Sequence, residues 1–223
     1  MTATRKALIT GGNRGIGQAI SELLKAEGHE VRTPTRAELD LASPASVQGY
    51  IASLDWQPDI LINNAGLNKI NSLETLSLDD WQAVLNTNLT APFLLIQAVA
   101  GAMKERSWGR IVNLSSCYSL VSRAGRMAYT ASKSGLNGLT RTAAIELAPY
   151  NVLVNAVGPG FVETDMTRQN NNPAQIEALL AQVPLGRLAQ PTEIAAFVAF
   201  LVSDRNTYLT GQIIPVDGGF LCQ

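Results

Sequence analysis

Short apolar runs alternate along this chain with longer stretches of helical period, and that alternation limits its fold more than any other feature. Lys6 to Thr10 reads as a strand, after which Ile16, Ile20, Leu23 and Leu24 recur at the spacing of one buried helix face that Gly28 closes. Glu30 to Thr33 reads as a second strand, Ala37 to Leu41 as a third and Ile60 to Asn63 as a fourth. A helix is expected from about Asp79 to Arg106, bent or split by Pro92. A strand from Arg110 to Leu114, a helix from Ala128 to Ala148 and a strand from Leu153 to Val157 follow. Pro191 to Ser203 reads as a helix, and Gln212 to Val216 closes the sheet. Strands this apolar, separated by helices, are covered on both faces, so the expected fold class is α/β with a doubly wound parallel sheet. At 223 residues the chain can bury one substantial core, and it reads as a single domain over 1–223 without a linker.

Charge and rare residues prune the functions available. Lys and Arg total 17 against 18 Asp and Glu, a net charge of -1, so no global basic field argues for nucleic acid or an anionic membrane. Small-molecule partners are expected instead, with no nucleic acid and no membrane. Met1 to Lys6 enters the first strand without the apolar core of a signal peptide, which reads as cytoplasmic. Cys117 and Cys222 make neither a disulfide framework nor a metal-ligand spacing, and no metal is expected. Cys117 reads as a bystander thiol. The single histidine, His29, sits in a Glu-Gly-His-Glu turn, which leaves no base for a Ser-His-Asp hydrolase and no His-rich zinc site.

Two motifs carry chemistry. Thr10-Gly11-Gly12-Asn13-Arg14-Gly15-Ile16-Gly17 follows the first strand and opens the first helix. Its glycines permit close approach of a pyrophosphate to backbone amides at a helix N-terminus, although the spacing is G-x-x-x-G-x-G and not G-x-G-x-x-G. Tyr129-Thr-Ala-Ser-Lys133 places a phenol and an ammonium four residues apart on one helix face. A cation there favours the phenolate and would bring a tyrosine into range for proton transfer. The same five-residue pattern also occurs as an ordinary surface pair.

Taken in order, these motifs resemble those of the classical short-chain dehydrogenase/reductase family. Thr10 to Gly17 resembles its cofactor loop, Asn63-Asn64-Ala65-Gly66 its Asn-Asn-Ala-Gly turn, and Tyr129/Lys133 its Tyr-x-x-x-Lys signature. Asn88 in Asn-Thr-Asn-Leu is similar to the family's catalytic asparagine, and Ser116, thirteen residues before Tyr129, to its catalytic serine; the neighbouring Ser115 is rejected. Pro159-Gly160-Phe161-Val162-Glu163-Thr164 resembles the loop that cups the nicotinamide, and Thr210 to Gly219 the last strand and tail. The resemblance implies a Rossmann-like domain and hydride transfer between a nicotinamide and a carbonyl or secondary alcohol. Tyr129 would be the acid and base, Ser116 the partner of the substrate oxygen, and Lys133 the group that lowers the tyrosine and binds the ribose. Asn88 would hold a water linking Lys133 to solvent. A homotetramer or dimer is implied as well, pairing the helices of Asp79 to Arg106 and Ala128 to Ala148.

Implied cofactor contacts are Gly11, Asn13, Arg14, Gly15, Ile16, Gly17, Arg36, Asp40, Leu41, Asn64, Ala65, Gly66, Tyr129, Lys133, Pro159, Gly160, Val162 and Thr164. Arg36 and Arg14 suit a ribose 2'-phosphate and favour NADP(H); Glu38 or Asp40 at the end of the second strand would suit NAD(H). The family commonly runs near 250 residues, and this chain lacks most of the helix between its second and third strands. Thr164 to Pro184 reads as a mobile lid, with Ile176, Leu179, Leu180 and Val183 on its apolar face and the Asn170 to Pro173 cluster as a loop. Gly160 to Met166 and Gln182 to Arg187 resemble 3-oxoacyl-acyl-carrier-protein reductases. Those reductases dock an acidic carrier on basic residues. Ser107 and Tyr150 stand where arginines are expected, with Lys104, Arg106 and Arg110 as substitutes. The expectation is therefore a 3-oxoacyl-type carbonyl reductase, the alternatives being a sugar, polyol or other secondary-alcohol dehydrogenase and a non-catalytic cofactor sensor or scaffold.

Overall fold

The computed structural model describes residues 4–169 and 172–222. Among them β1 (Lys6–Ile9) leads into α1 (Gly15–Ala26) and β2 (Glu30–Arg32), and α2 (Pro44–Ala52) into β3 (Ile60–Asn63). α3 (Leu78–Leu85) continues through one π-helical turn, Asn86–Thr90, into α4 (Ala91–Glu105). Then come β4 (Gly109–Leu114), α5 (Met127–Leu147), β5 (Val152–Pro159), α6 (Asp165–Gln169), α7 (Pro173–Leu180), α8 (Pro191–Val202) and β6 (Ile213–Val216). The sheet is parallel throughout, in the order β2-β1-β3-β4-β5-β6.

Alternating side chains build a core on each face. Ala7, Ile9, Ile60, Ile62 and Val112 join Ile20 and Leu24 of α1 and Ile194 and Val198 of α8. Leu8, Leu61, Ile111 and Val154 point the other way, onto Val47 of α2, Leu95 and Val99 of α4 and Ala144 of α5. The period of two in the strands and of 3.6 in the helices is enough to produce both layers. From β1 the chain passes outward to β2 and then returns across β1 to β3, so the connections that leave the carboxyl ends of the neighbouring strands β1 and β3 run in opposite directions and leave a crevice where α/β sheets bind ligands.

The structure corrects one expected strand. Residues 37–41 form a turn: Thr35 donates from its amide and hydroxyl to the Glu38 carboxylate at 2.7 and 2.8 Å, and the Leu39 amide returns to the Thr35 carbonyl at 2.9 Å. Leu39 and Leu41 are apolar because they anchor this turn to the α2 and α4 side of the core. β2 is therefore the sheet edge, and no helix separates it from the turn. The bend expected at Pro92 is the π turn. Proline has no N–H to offer, and the Ala91 amide instead reaches the Asn86 carbonyl five residues back. Leu78–Glu105 is long and apolar enough to cross a membrane by length and composition alone, but here its apolar side faces the core through Leu95, Ile96, Val99 and Met103. Of the expected polar loop, Asn170 and Asn171 lie outside the described residues, while Asn172 caps α7 by accepting from the Gln175 amide and donating its own amide to the Gln175 side chain.

A buried polar chain crosses the interface of β3, β4 and α5. Asn63 Nδ2 donates to Asn113 Oδ1 at 2.8 Å, Asn113 Nδ2 to Thr140 Oγ1 at 2.9 Å, and the Thr140 hydroxyl to the Leu136 carbonyl at 2.8 Å. Thr140→Val keeps the shape but leaves the Asn113 amide without its acceptor. It is expected to destabilise the protein by about 1–3 kcal/mol, read as a lower urea midpoint at an unchanged slope.

Candidate active site

Four strand ends and one long helix build the site. β1 delivers the glycine loop, β3 delivers Asn64 to Gly66, β4 delivers Ser115 and Ser116, β5 delivers Pro159 and Gly160, and α5 carries Tyr129 and Lys133. A cleft of about 260 Å³ opens among them. Gly11, Arg14, Gly15, Ile16 and Gly17 line one end, Asn64, Ala65 and Gly66 the floor, and Ser116, Tyr129 and Lys133 the other end. Pro159, Gly160, Val162 and Thr164 form the roof. Fifteen residues expected from the sequence thus share one cavity.

The glycine loop fits a pyrophosphate. Gly11 and Gly15 adopt φ of +64 and +54, open to glycine at little cost, and a β-carbon on Gly17 would lie 2.3 Å from the Gly11 carbonyl oxygen. No acid occupies the first turn of α1, so its N-terminus keeps its attraction for an anion. Asn64 holds this loop in place by donating its amide to the Thr10 and Gly11 carbonyls at 2.9 and 3.0 Å. Thr10 Oγ1 in turn accepts from the backbone N–H groups of Asn64 and Ala65, both at 3.1 Å. Across the cleft, Thr164 sits so close that a Gly15 side chain would begin 3.3 Å from its methyl group.

The two serines separate cleanly. Ser115 donates to Asn137 Oδ1 at 2.7 Å and packs under Lys133, a positioning contact between β4 and α5. Both serines line the cleft, but Ser116 is the one whose hydroxyl acts on the Tyr129 phenol. Cys117 is buried, its thiol pushed up to about 11 mainly by desolvation, which keeps it protonated and inert.

Burial governs the phenol and the ammonium. Desolvation raises the Tyr129 phenol above its ordinary range, with the Ser116 hydroxyl and the Arg126 guanidinium pulling it partly back. Desolvation also lowers Lys133 from 10.5 to about 8. The net shift of Tyr129 is therefore upward where a lowering is expected, because desolvation outweighs the charges around it; the Lys133 ammonium donates to the Leu114 carbonyl at 2.6 Å and lies 5.8 Å from the phenol ring centroid. Because the folded lysine releases its proton below its unfolded value, this group disfavours folding at neutral pH. That penalty relaxes as pH rises from about 8 toward 10.5.

Asn88 is fully buried in the π turn. It accepts from the Leu67 amide at 2.8 Å and donates to the Leu67 carbonyl and the Ser132 hydroxyl at 2.9 and 3.0 Å. Its Oδ1 and the Lys133 ammonium lie 3.7 and 3.6 Å from where a Gly66 side chain would start, so both border one small space. Arg36, Asp40, Leu41 and Asn13 lie outside the cleft walls. Arg36 is exposed and pairs with Asp40 at 3.6 Å, Leu41 packs on the core, and Asn13 accepts from Thr33 at 3.4 Å. β2 ends at Arg32 and is followed by Thr33, so neither Glu38 nor Asp40 stands at its tip.

Sequence reading missed a second, smaller chamber of about 90 Å³ on the far side of Tyr129, lined by Asn68, Cys117, Tyr118, Arg123, Arg126, Phe161, Met166, Thr167 and Leu179, with Ser116, Tyr129 and Gly160 shared. Arg126, three residues before Tyr129, could have been found by extending the Tyr129/Lys133 face back one turn. The expected docking cations are largely committed elsewhere. Arg106 pairs with Asp59 at 3.1 Å and also donates to the Pro58 carbonyl, and buried Arg110 donates to the carbonyls of Gly109, Asn151 and Asn206. Lys104 lies over the Tyr150 ring at 5.0 Å. This cluster is at the opposite end of β4 from Ser116.

A doubly wound sheet with a glycine-lined cleft running from a helix N-terminus to a Ser-Tyr-Lys cluster defines a dinucleotide-dependent oxidoreductase. A family model described as Enoyl-(Acyl carrier protein) reductase matches residues 32–221. The chain is 42% identical to the 3-oxoacyl-[acyl-carrier-protein] reductase FabG of Pseudomonas aeruginosa, over 96% of each chain. It is 38% identical to the acetoacetyl-CoA reductase of Shinella zoogloeoides, over 97% of this chain and 98% of that one. The structure of 4-hydroxyisoleucine dehydrogenase complexed with NADH superposes with a TM-score of 0.93 at 30% identity, covering 99% of this chain and 100% of that one. The protein belongs to the short-chain dehydrogenase/reductase family and is an NAD(P)-dependent oxidoreductase.

Gly17→Ala should displace the Gly11 carbonyl and the Asn64 amide. Its expected effect is at least a ~10-fold weaker binding of reduced dinucleotide, measured by titrating the cofactor's fluorescence.

Proposed function

We propose that this protein is an NADP(H)-dependent carbonyl reductase of 3-oxoacyl type, with Ser116, Tyr129, Lys133 and Asn88 as its working residues. The observation that carries the reading is the convergence of Ser116, Tyr129 and Lys133 at one end of the glycine-loop cleft. A bound nicotinamide supplies the hydride. Ser116 holds the substrate oxygen where negative charge develops. Tyr129, its phenol held above the ordinary range by burial, donates the proton. The Lys133 ammonium stabilises the phenolate left behind and takes up the ribose hydroxyls. Asn88 secures the backbone at Leu67 and borders the space beside Lys133 through which a water resupplies the proton.

NADP(H) is favoured because Thr33, not an acid, follows β2, while Arg14 is exposed at the cleft with only a 3.9 Å contact to Asp165. The turn at residues 33–41 leaves Arg36 able to swing toward a 2'-phosphate. The proposal includes a cytoplasmic homotetramer or dimer and a lid, formed by the described residues of 164–184, that closes on substrate. Among the alternatives, a sugar, polyol or other secondary-alcohol dehydrogenase uses the same four residues in the oxidative direction.

Incubating the protein with NADPH and a short 3-oxoacyl thioester, and following loss of absorbance of the reduced cofactor, tests the reading. Tyr129→Phe should lower kcat by about 10²-fold or more while cofactor affinity changes less than about twofold. Surviving activity would show that another group donates the proton. The reductive kcat/KM should stay level to neutral pH and fall above about pH 8, as Lys133 loses its charge; a profile level to pH 10 would exclude that role.

A further inference from the structure

The side chamber beyond Tyr129 contains a buried cation that no group among the described residues neutralises. Arg126, at the N-cap of α5, is 8% exposed and lines this chamber together with Ser116 and Tyr129. Among the described residues, no ion pair or hydrogen bond engages its guanidinium; its side chain lies over the Tyr118 ring, 5.7 Å from the centroid. An aromatic face orients a guanidinium but leaves its charge and its N–H groups open. Its nearest charged neighbour on the same wall is Arg123, of like sign. Burying a charge without a partner is costly, so such a group is kept where a ligand completes it.

A second, independent group points the same way. Asn68 Oδ1, also in the lining of this chamber, is buried without a hydrogen-bond partner among the described residues. The amide can turn to present its N–H groups to an anion. Phe161, Met166 and Leu179 close the rest of a small, mostly apolar space with room for a few carbon atoms.

We propose that this chamber is a carboxylate subsite, and that the substrate is a short oxo acid whose ketone lies between Ser116 and Tyr129 while its carboxylate meets Arg126. This rests on the carbonyl-reductase reading of the same site and puts a small free oxo acid in place of the acyl thioester as its substrate. Hydride adds to the ketone carbon, the Tyr129 proton goes to its oxygen, and the carboxylate is unchanged in the hydroxy acid produced. The commitment of Arg106 and Arg110 to Asp59 and to backbone carbonyls agrees with a substrate that brings no acidic carrier.

The test compares 2-oxobutyrate, 3-oxobutyrate and 4-oxopentanoate, each beside its methyl ester, with NADPH as reductant. At least one acid should exceed its own ester in kcat/KM by about 10-fold, chiefly through KM. Arg126→Gln should bring that ratio to near one, and Arg126→Lys should restore part of it. Esters reduced as well as their acids, or a ratio unmoved by Arg126→Gln, would overturn the subsite while leaving the reductase reading intact. Calorimetric titration of succinate into the protein with NADP⁺ separates the remaining case. Binding to the parent protein that weakens at least ~10-fold in Arg126→Gln supports the subsite even if no ketone turns over, which would sink only the reductase reading. No binding together with no acid preference overturns the subsite.

Discussion

The interface between β4 and α5 is held by hydrogen bonds as well as by packing, and the site depends on that. An apolar helix lying on an apolar sheet has many nearly equivalent positions, because dispersion and area burial carry little direction. Asn113 to Thr140, Ser115 to Asn137 and Lys133 to the Leu114 carbonyl remove that freedom. Each is buried, so slipping by one turn would strand several polar groups at once. The seam thereby fixes both rotation and axial position of α5. Tyr129 and Lys133 consequently face the carboxyl ends of β4 and β5, not solvent.

The same logic links the other half of the cleft. Asn63 belongs to the polar chain under α5, while its neighbour Asn64 points the opposite way and grips the glycine loop. One dipeptide at the end of β3 therefore ties the dinucleotide end of the cleft to the catalytic end. Asn88 extends the bracing to the next turn through Leu67 and reaches α5 at Ser132. The π turn that presents Asn88 follows from Pro92, since the ordinary helical pattern cannot be completed there. Two of the side chains expected to be catalytic, Asn88 and Lys133, thus also help to hold strand ends and helix in register.

Much of this was legible in the sequence, because strand and helix periods survive in the apolar residues and the glycine loop has few other uses. Ala37 to Leu41 was misread because the apolar positions that mark a strand also mark an anchored turn, and only the Thr35 to Glu38 hydrogen bonds distinguish them. The direction of the Tyr129 shift was misread for a related reason. Spacing along a helix says that a cation is near, but burial of both partners, which sequence spacing does not report, sets the larger contribution. Arg126 escaped notice because an arginine at a helix start reads as solvated surface until the loop from Cys117 to Gly125 is seen folded over it.

The electrostatics of the whole cleft now take a simple form. A chain of net charge -1 places Arg14 at one end, Lys133 at the middle and Arg126 with Arg123 at the other, and among the described residues only Arg14 has an acid beside it, Asp165 at 3.9 Å. Each cation disfavours the proximity of the others, and Lys133 is already pushed down to about 8 by desolvation alone. Such an arrangement is stable only at a site that regularly receives negative charge. A dinucleotide phosphate satisfies Arg14 and the α1 N-terminus, and the phenolate formed in turnover satisfies Lys133. Neither reaches across Tyr129. The cation on the far side requires an anion of its own, and the group that enters there with every turnover is the substrate.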